Sequence, residues 1–246
     1  MTADVTDVQV VHLVFGGTFD PVHLGHIHVA QAVCDAFGFH QCAFLPNACP
    51  AGYKSVRANV AQRRKMLEYS LSADPRFYLD DRELRRGGDS YTCQTLRELR
   101  DALGSQGGIF WLIGADAFYQ LTSWHAWQTL FALTNFIVAS RPGYTAMSDD
   151  LAEYCRTRLI PRNNKKKFLQ QPQGAVYMFD AIHMPVSATA IRRAVHQDKT
   201  IAQYLPAGIH DYIVQQRLYS CDQPEGNFGA KVTQQDQEHG QHQRIE

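Results

Sequence analysis

Solid apolar runs alternate along the chain with stretches in which apolar residues recur at a helical period. Val8 to Phe15 is apolar and β-branched, which predicts a strand buried on both faces of a parallel sheet. From Leu24 onward Ile27, Ala30, Val33, Cys34 and Phe37 repeat with helical spacing, and Gly38 supplies a C-cap. The alternation continues with strands predicted at 42–46, 76–81, 108–116, 135–143 (ending in a turn) and 175–181, the 108–116 run GIFWLIGAD being the strongest. Between them, helices are predicted at 60–72 (Met66, Leu67, Leu71), 92–103 (Leu96, Leu99, Leu103), 124–131 and 187–195. No internal repeat is present. Strands alternating with helices predict an α/β, Rossmann-like doubly wound parallel sheet with helices on both faces and ligands at the carboxyl ends of its strands.

One junction carries most of the chemistry. GGTFDPVHLGH, Gly16 to His26, joins the first strand to the first helix. Two glycines there permit a sharp turn and bring backbone N–H groups close to a ligand, and the helix amino end adds a positive dipole, a combination suited to a phosphate. The glycine spacing matches neither G-x-G-x-x-G nor a Walker A loop, which would continue Gly-Lys-Ser/Thr. His23 and His26 are three residues apart at a helix start, so both imidazoles reach one face, with Gly25 leaving that face open. Paired imidazoles over a helix amino end stabilise charge building on a phosphoryl group. Zinc ligation is the rival role, but no third ligand is spaced for it, and no metal site is assigned.

Composition narrows the setting. Among 246 residues, 24 basic and 24 acidic side chains give a formal net charge of +0, so no global field recruits nucleic acid or an anionic membrane. Asp4 and Asp7 stand where a secretory signal would be basic, and no apolar run approaches a bilayer span. Cys34, Cys42, Cys49, Cys93, Cys155 and Cys221 are scattered without a C-x-x-C pair, as expected of reduced thiols in a cytoplasmic protein. The basic run 156–167 reads as a solvated loop in preference to a phosphate surface. Residues 221–246, rich in Gln, Gly and charge, read as a disordered tail behind a catalytic domain at 1–220.

The turn resembles the H-x-G-H signature of the nucleotidyltransferase superfamily, His23-Leu24-Gly25-His26 behind Gly17-Thr18-Phe19-Asp20-Pro21. Four further stretches, PNACP at 46–50, RELRRGGDSYT at 82–92, IGAD at 113–116 with Trp124 behind it, and SATAIR at 187–192, resemble the bacterial nicotinate-nucleotide adenylyltransferases. They occur in that family's order, SRPGY at 140–144 fits too, and the likeness runs over about residues 9–220. The resemblance implies adenylyl transfer from ATP to nicotinate mononucleotide, giving deamido-NAD and pyrophosphate, with Mg²⁺ accompanying ATP. It implies ATP contacts from Gly16, Gly17, Thr18, Phe19, His23, His26, Gly114, Asp116, Ser187, Thr189 and Arg192. Acceptor contacts are implied for Tyr91, Thr92, Trp124 and Arg141, and catalytic roles for His23, His26, Lys54 and Arg192. The family's P-x-x-x-P-P-H-K pattern is broken, since the Pro-His pair is missing and Lys54 arrives one position late.

The residues alone leave alternatives. Ser187 suits an N-cap, with Arg192 facing solvent, as well as a phosphate site. Trp124 suits core packing as well as stacking on a pyridinium. Asp116 suits a helix cap as well as a ribose contact, and Arg141 suits a surface position as well as a phosphate partner. Other adenylyl acceptors, nicotinamide mononucleotide or phosphopantetheine, and a non-catalytic nucleotide-binding module remain as competing functions. A homo-oligomer is compatible with the sequence.

Overall fold

The computed structural model describes residues 11–50, 56–72, 74–104, 107–140, 147–180 and 184–220. In chain order the first half runs β1 (Val11–Gly17), α1 (Leu24–Phe37), β2 (Cys42–Pro46), β3 (Cys49–Pro50), α2 (Val60–Leu71), β4 (Phe77–Leu79), α3 (Arg82–Arg86), β5 (Asp89–Ser90) and α4 (Thr92–Leu103). The second half runs β6 (Gly108–Gly114), α5 (Ala115–Phe118), α6 (Trp127–Phe131), β7 (Asn135–Ser140), α7 (Asp149–Cys155), α8 (Lys165–Leu169), β8 (Val176–Asp180), α9 (Ala188–His196) and α10 (Ile209–Gln215).

Six strands form one parallel sheet in the order β4-β2-β1-β6-β7-β8. The order reverses between β1 and β6, so the crevice beyond their carboxyl ends, at Gly17 and Gly114, is the topological switch point where such sheets bind ligands. Alternate strand residues face opposite sides. Leu13, Phe15, Phe44, Phe110 and Ile137 join Ile27, Met66, Ile191 and Ile213 on one side. Val14, Leu45, Trp111 and Val138 join Leu96, Leu130 and Leu151 on the other. Both faces are therefore covered by helices, as the solid apolar runs predict, each buried Leu or Phe contributing about 1.5–3 kcal/mol.

Several elements differ from the sequence expectation. The strand expected at 108–116 stops at Gly114, because Ala115 begins a helical turn that carries Asp116. Trp124 lies outside the expected 124–131 helix; it is extended, follows a short 3-10 turn at Leu121–Ser123, and precedes α6 by three residues. Helices α3, α7, α8 and α10 were not anticipated, being five to seven residues long, too short to display a period. Within 156–167, most residues are exposed, Arg158 stacks 4.0 Å over the Tyr154 ring, and Arg162 pairs with Asp180. The expected tail at 221–246 and Val8–Val10 of the first strand lie outside the described residues. No helix among the described residues is long and apolar enough to cross a membrane.

Candidate active site

The β1–α1 junction is fixed by close packing. Neither Gly16 nor Gly17 has a positive φ, so they are not there for a left-handed turn. A Cβ on Gly16 would lie 2.2 Å from Trp111 Cζ2, and one on Gly17 would lie 2.9 Å from Phe19 Cζ. The left-handed residue is Phe19 itself, at φ 50°. Holding a phenylalanine there costs on the order of 1–3 kcal/mol, and its buried ring, packed on Phe15, Phe44 and His26, keeps it in place. The next peptide, Asp20–Pro21, is cis.

His23 is the N-cap residue of α1 and His26 its third residue, and their rings stack with centroids 3.7 Å apart. The shared face expected from their spacing is therefore present. The His23 backbone N–H donates to His26 Nδ1 at 3.2 Å. An N–H can only donate, so Nδ1 is an acceptor and the ring proton of His26 sits on Nε2. Gly25 works differently from the expectation of a face left open to ligand. A Cβ there would lie 3.0 Å from both the His23 ring and Val186 Cγ1, so the missing side chain makes room for His23 and the segment leading into α9.

That segment brings the second cationic element. Ser187 caps α9, accepting from the Ala190 N–H at 3.2 Å, so the cap expectation for this residue holds. Arg192 is not solvent-facing: its side chain is 25% exposed and Nη1 donates to the Asp20 carbonyl at 2.6 Å, with Nη2 on Thr189 Oγ1 at 3.2 Å. Arg192 and Thr189 are thus joined to the histidine turn across 172 residues of sequence.

Sequence reasoning missed Arg63. It sits inside α2 between Gln62 and Arg64, reads as a surface residue, and is 1% exposed. Its guanidinium donates to the carbonyls of Thr18 (3.0 Å), Asn47 (2.8 Å) and Ala48 (2.9 Å). Burial pulls its pKa down, and the nearby Asp20 charge opposes that shift. Asn47 Nδ2 donates to Thr18 Oγ1 at 3.0 Å, and the Ala48 N–H donates to Ser90 Oγ at 2.8 Å. The turn at 16–20, the PNACP stretch and the Ser-Tyr-Thr stretch are thereby tied into one wall.

On that wall Tyr91 caps the start of α4, with Thr92 as its first residue. Tyr91 and half-buried Trp124 pack on the same apolar cluster, and His125 lies with its ring 4.8 Å from that of Tyr91. His125 had no sequence signal beyond its position next to Trp124. Asp116 is not a cap, since Gly114 occupies that position; it is exposed in the first turn of α5. Its Oδ1 would be 2.7 Å from a Cβ on Gly114, so a side chain there would displace the Asp116 carboxylate. Lys54 and Arg141 lie outside the described residues.

The Cytidylyltransferase-like family model matches residues 14–194. A relative from Serratia proteamaculans named "Probable nicotinate-nucleotide adenylyltransferase" is 35% identical over 221 residues, covering 89% of this chain and all of that relative. One from Yersinia pestis is 34% identical, covering 85% of this chain and 95% of its own. The chain belongs to the nicotinate-nucleotide adenylyltransferase family. It is a nucleotidyltransferase, and the fold agrees: the Plasmodium falciparum nicotinic acid mononucleotide adenylyltransferase complexed with NaAD superposes with TM-score 0.66 at 16% identity, over 85% of this chain and 97% of that one.

The turn and Gly114 end the adjacent strands β1 and β6, α9 reaches the turn through Arg192, and Tyr91 and Trp124 pack on the apolar cluster that holds Trp111. Among the described residues no group of three or more His, Cys, Asp or Glu is arranged to hold a metal ion. Asp20, the carboxylate within the turn, is occupied by three hydrogen bonds and has Arg192 Nη1 3.9 Å from Oδ2. Among the described residues, the side chains of the turn suit an anion rather than a bound divalent cation.

Proposed function

We propose that the protein transfers the adenylyl group of ATP to nicotinate mononucleotide, forming deamido-NAD and releasing pyrophosphate. The observation that carries the reading is the stacked His23–His26 pair on the amino end of α1, joined to Arg192 at the β1/β6 switch point. The 5′-phosphate of the acceptor attacks the α-phosphorus of ATP in line and expels pyrophosphate. That phosphate is already anionic, so no strong general base is required. Catalysis is positioning and charge stabilisation. His26 Nε2–H and the His23 ring face the α-phosphoryl oxygens, while Arg192 and the α9 amino end take the β- and γ-phosphates. Lys54 adds positive charge, and Arg141 meets the acceptor phosphate. Mg²⁺ bound to the triphosphate supplies further neutralisation of the leaving group.

Gly16, Gly17, Thr18 and Phe19 form the edge against which ATP lies, and Gly114 and Asp116 meet its ribose. The Tyr91–Thr92 start of α4 takes the nicotinate carboxylate, and Trp124 stacks on the pyridinium. The catalytic unit is the chain through residue 220, acting in the cytoplasm.

Pyrophosphate release in ATP and Mg²⁺ tests this, with nicotinate mononucleotide, nicotinamide mononucleotide or phosphopantetheine offered in turn. Release is expected with the first, more slowly with the second and not with the third. Release with phosphopantetheine alone, or with no acceptor, overturns the reading. Trp124→Ala is expected to raise KM for nicotinate mononucleotide about 2- to 30-fold, the equivalent of a cation–π contact of 0.5–2 kcal/mol. The KM for ATP should stay near wild type, and an unchanged acceptor KM would remove Trp124 from the acceptor site.

A further inference from the structure

Asp20 collects contacts from distant parts of the chain. Its Oδ1 accepts from the Tyr219 hydroxyl at 2.8 Å and the Ala58 N–H at 3.1 Å, and its Oδ2 accepts from the Arg57 N–H at 2.8 Å. Its own carbonyl accepts Arg192 Nη1 at 2.6 Å. Tyr219 is 199 residues away in sequence and 5% exposed, packed with Leu218 and Ile213 in the apolar cluster beneath α1. Burial, reinforced by the charge of Asp20, pushes its phenol well above the ordinary tyrosine value, so the hydroxyl remains a proton donor. A buried phenol aimed at a buried carboxylate is a short, directional bond, of the strong charge-assisted kind.

We infer that Tyr219 is a positioning residue for adenylyl transfer, acting through Asp20 on Arg192. The hydroxyl and the two amides hold the Asp20 carboxylate in one orientation. That orientation keeps Oδ2 3.9 Å from Arg192 Nη1, beside the Asp20 carbonyl on which the guanidinium is docked. Without the hydroxyl, only the Ala58 and Arg57 amides, from adjacent residues, hold the carboxylate; it can tilt about them, and Arg192 loses the fixed position of the charge beside it. The far end of the fold is in this way part of the phosphate site. The inference rests on the adenylyl-transfer reading above.

The test compares Tyr219→Phe with wild type in the pyrophosphate-release assay. Phenylalanine keeps the buried ring and removes only the hydroxyl. The expected result is a fall in kcat of about tenfold, with KM for nicotinate mononucleotide within about twofold of wild type. Leu218→Ala, at a 1% exposed neighbour, should lower the melting temperature yet leave kcat of the folded enzyme unchanged. On an Arg192→Lys background, Tyr219→Phe should cost less than about twofold, because both changes disable one unit. Wild-type kcat in Tyr219→Phe overturns the inference. So does an equal kcat loss in Leu218→Ala, or a full tenfold loss on the Arg192→Lys background. Should Tyr219→Phe fail to fold, Asp20→Asn, of equal size, takes its place in the same comparisons, with the same outcomes deciding. If the wild type itself releases no pyrophosphate, the function is overturned, whereas turnover by the wild type with an indifferent Tyr219→Phe overturns only the positioning role.

Discussion

Replacing His26 by alanine is expected to lower kcat by a hundredfold or more in a protein that still folds. The magnitude is that of losing one preorganised donor to developing charge, about 2.7–4 kcal/mol. His26 has two separable jobs. Its Nδ1 accepts the His23 N–H, and its ring fills space against His23, Phe15 and Phe19 at centroid distances of 3.7, 5.8 and 5.1 Å. The first job is a helix-capping contact worth about 1 kcal/mol, too little to unfold a domain of this size. Beyond this structural job of capping and packing, the proposed mechanism gives His26 a catalytic one, the Nε2–H donated to phosphate. His26→Asn separates them, since an asparagine oxygen reaches the Nδ1 position and nothing reaches that of Nε2. It should keep most of the stability and be about as slow as the alanine variant. Steady-state kinetics with calorimetry on both variants decides the matter. A folded His26→Ala enzyme with wild-type kcat would remove the imidazole from the mechanism, and a fast His26→Asn would reduce its role to capping.

The parts of this molecule that could be read in advance are those where one residue type has one physical use. Runs such as VVHLVF and GIFWLIG are too apolar for anything but a doubly covered strand, and the sheet contains Val11–Phe15 of the first and all of the second. The histidine spacing likewise predicted the shared face, because three residues along a helix bring two side chains together, and the structure adds that the rings stack there. Legibility ended where a residue's use depends on something distant. Gly25 reads as space for a ligand, and only the path of the chain at Val186 shows that the space belongs to His23. Ser187 and Arg192 could not be separated by pattern; the serine caps its helix while the arginine crosses to Asp20. Asp20 was visible as a member of the turn, but its partner Tyr219 follows a helix too short to announce itself and has no local signal.

Arg63 is the clearest example of that limit, and it carries the largest expected effect on stability. Arg63→Met, which keeps much of the aliphatic volume, is expected to cost about 3–5 kcal/mol and to lower the melting temperature by roughly 10 °C. Three carbonyls, of Thr18, Asn47 and Ala48, lose their common donor, and each buried acceptor left unpaired costs about 1–3 kcal/mol. Relief from desolvating the guanidinium, whose pKa burial depresses, offsets only part of this. The nearby Asp20 carboxylate also loses a favourable charge. Arg63→Lys should fall between the two, because one ammonium keeps the charge but cannot span acceptors on two separate segments. Activity should fall further than stability alone would dictate, since Thr18 belongs to the turn and Ala48 also donates to Ser90 beside Tyr91. Thermal unfolding and kcat measured well below the transition check both halves. A melting temperature within about 2 °C of wild type would mean that water or main-chain relaxation replaces the guanidinium, and that the two segments do not depend on it.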